Sequence, residues 1–214
     1  MNLIYKEARF PIDYRAAEVE QIMSALYRRR SIAVTGLAGM GKSNVVRFIV
    51  SHPKVCPRYL RERADDYRFV HVDCAGLVAA TEIELLGEIT FRLHGGEIDL
   101  PRDLAGIWRA LRAAVVDLPP DLNLVLILDY FDGMSAILSE PLYNRLFHLR
   151  NTRPQGNGSY VFVTRRPLAS LYELQELLDD GCSIGPLSRK DALDSIERDE
   201  ERLGCTLGPS QRES

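Results

Sequence analysis

The chain has 214 residues, 46% of them hydrophobic and 27% charged, with a formal net charge of -3. That suits one domain, or one plus a fragment, with a real core, and the weak net charge gives no global attraction to nucleic acid or anionic lipid. The four cysteines and four histidines lack the spacings that zinc sites use, so free thiols in a reducing cytosol are expected.

The N-terminal MNLIYKEARF lacks the apolar h-region of a signal peptide. No apolar run nears the roughly 20 residues needed to span a bilayer, so a soluble cytoplasmic protein without a membrane partner is expected. AAEVEQIMSALYRR then puts Val19, Ile22, Met23 and Leu26 on one helix face. The arginines of YRRR (27–30) fall at that helix's C-terminus, where cations favour the dipole, and no aromatic residues interleave with them as in a nucleic-acid patch.

SIAVTG (31–36) is a β-type run that enters GLAGMGKS (36–43), and SNVVRFIVSH continues as a helix. The octet matches G-x-x-x-x-G-K-[ST] with a strand before it and a helix after it. Gly36 and Gly41 let the backbone wrap closely, so that successive N–H groups across Leu37, Ala38, Gly39 and Met40 point inward around phosphate. The helix N-terminus adds its positive end. Lys42 is placed to reach the β- and γ-phosphates, and Ser43 to give a hydroxyl to Mg²⁺.

RYLRERADDYR (58–68) has the mixed charge of a solvated connector. RFVHVDC (68–74) reads as the second strand. TEIELLGEITFRLHG reads as a helix with Thr81 as N-cap and a Gly pair at its end. DLAGIWRALRAAVVDL stops at Pro-Pro and uses Trp108, with Ile107 and Leu111, for packing.

LVLILDYFD (124–132) is an unbroken apolar run that ends in Asp129, at the strand end where ligands sit in open α/β sheets. A carboxylate there can hold the water shell of Mg²⁺. Tyr130 follows, where many P-loop ATPases carry Glu. Asp132 is the nearest other carboxylate. It either polarises an attacking water or begins a turn before Gly133. Without a placed base hydrolysis is slow, because positioning the water is a main part of the rate.

LSEPLYNRLFHLRN reads as a helix, NTRPQGNGS (151–159) as a loop, and SYVFVTR (159–165) as the fourth strand. Thr164, Arg165 and Arg166 fall at its end, beside the γ-phosphate position. A Thr hydroxyl can report on that phosphate and an Arg can bind it bidentately; otherwise the three form a solvated basic turn ended by Pro167. PLASLYELQELLDDG reads as a helix and CSIGPL (182–187) as a weak fifth strand. SRKDALDSIERDEERLG closes the chain as a helix with Ser188 as N-cap, and the tail GCTLGPSQRES is expected to fray. Four of the five β-type runs show little alternation, as in a parallel sheet buried on both faces. Strands alternating with helices give an α/β domain.

The glycine loop, the Asp129 strand and the Thr164–Arg165 strand, in this order, resemble the AAA+ and STAND class of P-loop ATPases, the latter being signal-transduction ATPases with numerous domains. FPIDYRAAEVEQI resembles the segment that the family places before its P-loop. Arg15 and Glu18 match; Tyr14 replaces a Gly and Ala16 a Glu. In the family this segment borders the adenine, which makes Ile12 and Arg15 base-side candidates. GMGKSN, through Asn44, is a typical loop ending for the group. ILDYFDGM is similar to the Asp-x-x-Asp form of the second motif, TRRPLASL to the arginine-bearing sensor strand, and IGPLSRKDALDSI to the start of the helical lid.

The resemblance covers roughly residues 10 to 203. It implies a three-layer P-loop NTPase sandwich with a five-stranded parallel sheet, ATP or ADP with Mg²⁺, and a nucleotide-driven switch. ATP over GTP also accords with the lack of an Asn-Lys-x-Asp motif. The core would occupy 1–187, and 188–214 would hold the start of the lid and the tail. One lid helix at most suggests a fragment of a longer protein, or a short protein with a partner. A slow ATPase switch that controls assembly or signalling is the leading expectation. A DNA-directed AAA+ ATPase, such as a replication initiator or transposition helper, comes next, then a small-molecule kinase or a binding module without hydrolysis. The resemblance also implies a protein partner or homo-oligomer, with an arginine finger from Arg150, Arg153, Arg165 or Arg166.

Overall fold

Five parallel strands form one sheet in the order β2-β3-β4-β1-β5. They are β1 (Ile32–Thr35), β2 (Tyr67–Asp73), β3 (Asn123–Asp129), β4 (Gly158–Thr164) and β5 (Asp180–Ser183). The computed structural model describes residues 5–134, 139–152, 158–165 and 176–205. The register sets Asp73 beside Asp129 and Thr35 beside Thr164, so the strand ends form a row of polar residues along one edge.

Helices cover both faces, which is why all seven residues of β3 are buried. On one face Val70, Val72, Leu126, Leu128 and Phe162 pack with α4 (Glu82–Leu93), α5 (Leu104–Val116) and α6 (Glu140–Arg150). On the other, Val34, Val125, Ile127, Val161 and Val163 pack with α1 (Ala16–Tyr27), α2 (Lys42–Ser51) and α3 (Val55–Leu60). Successive strand residues alternate between the two cores because strand side chains have a period of two. The result is a three-layer sandwich with a five-stranded parallel sheet, as expected.

The local signals hold where the apolar pattern is strong. Val19, Ile22, Met23 and Leu26 of α1 have no solvent exposure. Thr81 closes a full capping box with Glu84 on α4, and Ser188 caps α7 (Arg189–Leu203) by accepting from the Asp191 N–H. Trp108 packs at the margin of the first core.

Residues 58–68 link α3 to β2 as a connector whose 3-10 segment, Arg61–Asp66, buries no residue, and fully buried Leu60 and buried Tyr67 anchor its two ends. One expectation needs correction. The fifth strand lies earlier than 182–187, at Asp180–Ser183, so the end of the 167–181 run is strand and not helix. Asp180 there faces Arg28 and Arg30 at 3.8 and 3.6 Å, which gives the YRRR run an intramolecular counter-charge. Residues 153–157, 166–175 and 206–214 lie outside the described residues, and with them the middle of the expected loop, most of the 167–181 helix and most of the tail.

One backbone contact joins the sheet to the loop that follows β1. The Ile184 N–H donates to the Thr35 carbonyl at 2.7 Å and carries β5 pairing one residue further. A Cβ on Gly36 would lie 2.3 Å from the Ile184 carbonyl oxygen, and Gly36 has φ +150°. Gly36→Ala is therefore expected to cost about 2 kcal/mol or more of stability in urea unfolding. Gly76→Ala, where the added Cβ meets nothing within 4 Å, is expected to stay within about 0.5 kcal/mol of the parent.

Candidate functional site

The C-terminal ends of β3 and β4 and the loop that follows β1 converge on a cleft of about 450 Å³. Its floor is Ala38, Gly39 and Gly41 of that loop and the first turn of α2. Gly39 and Gly41 take φ of +82° and +84°, a left-handed backbone that glycine adopts without steric cost. Gly41 is the N-cap residue, so α2 begins at Lys42 with the free N–H groups of its first turn at the cleft. Lys42 is buried, and its Nζ donates to the Gly36 and Leu37 carbonyls at 2.8 and 2.9 Å. Burial lowers the Lys42 pKa, while the nearby Asp132 and Asp129 oppose that shift. Backbone donors, a lysine and a helix N-terminus together suit a polyanion.

The second part of the site is a carboxylate with no solvent exposure. Asp129 ends β3, and its Oδ1 accepts from Ser43 Oγ and from the Tyr130 N–H, both at 3.0 Å. Its Oδ2 is buried and has no hydrogen-bond partner. Tyr130 has φ +56°, a strained backbone for a tyrosine that costs about 1 kcal/mol or more. That bend lets the chain leave the strand and turn at once into the 3-10 segment Phe131–Met134.

The third part is a charge pair. Asp132, on that segment, is buried, and its Oδ2 accepts from Arg165 Nε at 2.8 Å. Its Oδ1 is buried without a partner. The hydrogen bond that Arg165 donates to Asp132 raises the Arg165 pKa. Thr164, the last residue of β4, is buried at the cleft wall. Asp132 thus both lines the cleft and starts a turn, in which the Gly133 N–H donates to the Tyr130 carbonyl at 2.9 Å.

Ten expected residues meet in this cleft: Ala38, Gly39, Gly41, Lys42, Ser43, Asn44, Asp129, Asp132, Thr164 and Arg165. Gly36, Leu37 and Met40 shape the loop but do not line the cleft. Leu37 is 72% exposed. Ile12 packs at the margin of the second core, also away from the cleft walls.

Arg15 does not line the cleft: its side chain is buried and engaged within the chain, where Nη1 donates to Glu18, and Nη2 to the Met40 and Gly185 carbonyls, each at 2.9 Å. The Arg15 backbone N–H donates to Asp191 at 3.3 Å. Arg150 is likewise engaged, with Leu177 and Asp179, and Arg153 and Arg166 lie outside the described residues.

Sequence reasoning missed Arg47, which lines the cleft and approaches Asp73 at 3.4 Å. The signal was available: Arg47 lies one helical turn after Ser43. It also missed His71, whose Nε2 lies 3.6 Å from Asp129 Oδ2; a lone histidine in a strand carries no such signal.

Residues 25–172, more than half of the chain, match the family model described as an AAA domain. A search of curated proteins found no match. Among solved structures, a Walker-type ATPase of Pyrococcus abyssi is similar over 98% of this chain and 63% of its own, with a TM-score of 0.62 and 15% identity. The ORC1 protein of Aeropyrum pernix, solved in complex with DNA, covers 88% of this chain and 49% of its own, with a TM-score of 0.60 and 16% identity. The Drosophila ORC bound to DNA matches 88% of this chain and 47% of its own, with a TM-score of 0.58 and 13% identity. This chain therefore spans about half to two thirds of the length of the structures it matches, and at these identities the likeness is one of fold.

Buried and exposed arginines in this region should differ sharply in mutation. Arg15→Ala strips partners from two carbonyls and a carboxylate and is expected to cost about 3 kcal/mol in urea unfolding. Arg165→Ala, at a side chain 53% exposed, is expected to shift the urea midpoint much less than Arg15→Ala does.

Proposed function

For a chain that belongs to the AAA domain family, we propose the role of a Mg²⁺- and ATP-binding P-loop ATPase that hydrolyses slowly and acts as a nucleotide-controlled switch in assembly or signalling. The observation that carries the proposal is the composition of the cleft. A phosphate-type loop and the Ser43–Asp129 pair lie together, but the position after Asp129 holds Tyr130, and the nearest other carboxylate, Asp132, is tied to Arg165.

In this reading the loop from Gly36 to Gly41, with Asn44 close by, wraps the phosphates through its N–H groups. Lys42 exchanges its two backbone carbonyls for phosphate oxygens. Ser43 and Asp129 would hold Mg²⁺. The donor set fits that ion, since both groups offer hard oxygen atoms and Asp129 Oδ2 has no hydrogen bond of its own. Bound Mg²⁺ would supply charge neutralisation across the phosphates. Asp132 orients the attacking water once Arg165 turns to the γ-phosphate, and Thr164 contacts the same phosphate. Ile12 borders the base. Arg15 acts as a tie between the P-loop and α7, the start of a lid over 188–214 that follows the core over 1–187. The partner is a protein or a second copy of this chain. Among the described residues no helix is long and apolar enough to cross a membrane.

A DNA-directed ATPase is the second reading, favoured by the two matched structures that are DNA complexes. It calls for DNA binding that weakens steeply with salt.

The direct test is to denature the purified chain and identify any released nucleotide by chromatography. ADP or ATP near one per chain, lost in Lys42→Ala, supports the switch. A chain that is empty and also binds no Mg·ATP in titration defeats the proposal. Turnover is expected below about 1 s⁻¹. Asp132→Asn should lower it at least about 100-fold with little change in nucleotide affinity; wild-type turnover in that variant would remove Asp132 as the base.

A further inference from the structure

Asp129 is approached from behind by a histidine for which the proposed chemistry has no use. His71 lies on β2, on the same sheet face as Asp129, and its Nε2 faces Asp129 Oδ2 at 3.6 Å. Both atoms are buried and neither has a hydrogen-bond partner. A ring nitrogen aimed at an acceptor-only carboxylate must carry its hydrogen. At 3.6 Å the pair is in electrostatic contact, longer than a formed hydrogen bond.

The far side of the ring is held as well. Tyr5 Oη lies 2.9 Å from His71 Nδ1, and the two rings meet edge to face with centroids 5.7 Å apart. With the hydrogen on Nε2, where Asp129 requires it, the Nδ1 of that tautomer is an acceptor, and the Tyr5 hydroxyl is placed to donate to it. Arg47 reaches over the Tyr5 ring at 5.6 Å from the cleft side, which fixes Tyr5 in turn.

We propose that His71, oriented by Tyr5, is a positioning residue for Asp129: it holds the carboxylate from behind, so that Asp129 and Ser43 present a preformed oxygen pair to the divalent cation. The inference rests on the reading of Ser43 and Asp129 as the cation site. Outer partners of this kind typically carry 10–100-fold in metal affinity.

The test uses the full chain with ADP and titrates Mn²⁺, read by electron paramagnetic resonance. ADP affinity is measured separately in EDTA. His71→Leu is expected to weaken Mn²⁺ binding about 10–100-fold and to leave ADP affinity in EDTA within about twofold. His71→Gln, whose amide N–H can replace the Nε2 hydrogen, is expected to recover most of the loss. Tyr5→Phe is expected to weaken Mn²⁺ binding by a smaller factor. Unchanged Mn²⁺ affinity in His71→Leu overturns the proposal, and so does an equal loss of ADP affinity in EDTA, which marks general damage. Should His71→Leu fail to fold, Tyr5→Phe decides: wild-type Mn²⁺ affinity in that variant overturns the relay. A wild-type chain that binds ADP but no Mn²⁺ overturns the cation-site reading and this inference with it, whereas one that binds neither defeats the nucleotide reading itself.

Discussion

The site depends on one constraint: a carboxylate with no access to solvent must be compensated by its surroundings. Asp129 ends a strand buried along its whole length, where an uncompensated charge would cost several kcal/mol. The compensation comes from three directions. Ser43 donates from the first turn of α2, the Tyr130 N–H from the next residue, and His71 faces it from the neighbouring strand. These contacts tie the glycine loop to the centre of the sheet. They also require Tyr130 to take a backbone that tyrosine avoids, so local strain is the cost of closing the chain around the carboxylate.

A second constraint concerns the loop itself. Three segments far apart in the chain meet at Arg15, whose buried guanidinium joins Glu18, Met40 and Gly185. The same residue's backbone joins Asp191, while Lys190 pairs with Asp13 and Arg198 lies 4.5 Å above the Phe10 ring. Helix α7 is therefore fastened to the segment that precedes α1, and that segment is fastened to the loop. Taken together, these contacts make the loop, the entry to α1 and the docking of α7 one mechanical unit.

What could be read in advance follows from how local each signal is. The glycine loop, Ser43 and Asp129 were legible because each is a short contiguous pattern whose chemistry depends on its own backbone. Capping at Thr81 and Ser188 was legible for the same reason. The segment 58–68 was legible as a solvated connector, since charge pattern reports the solvent-facing side, but its helical turns were not, because the buried Leu60 and Tyr67 decide them. Arg15 could be identified as special but not placed, since its partners come from residues 40, 185 and 191. His71 and Tyr5 were not legible at all. Their meaning arises only when β2 pairs with β3 and the N-terminal segment folds across α2.

The contact between Gly36 and the Ile184 carbonyl has a consequence for how the loop is joined to the rest of the molecule. The first residue of the loop has no room on the side of β5, and the Ile184 N–H is already bonded to the residue before it. A gap there would cost the 2.7 Å bond, and a side chain at position 36 would meet the Ile184 carbonyl, so the start of the loop and the chain leading into α7 are held together by backbone atoms alone.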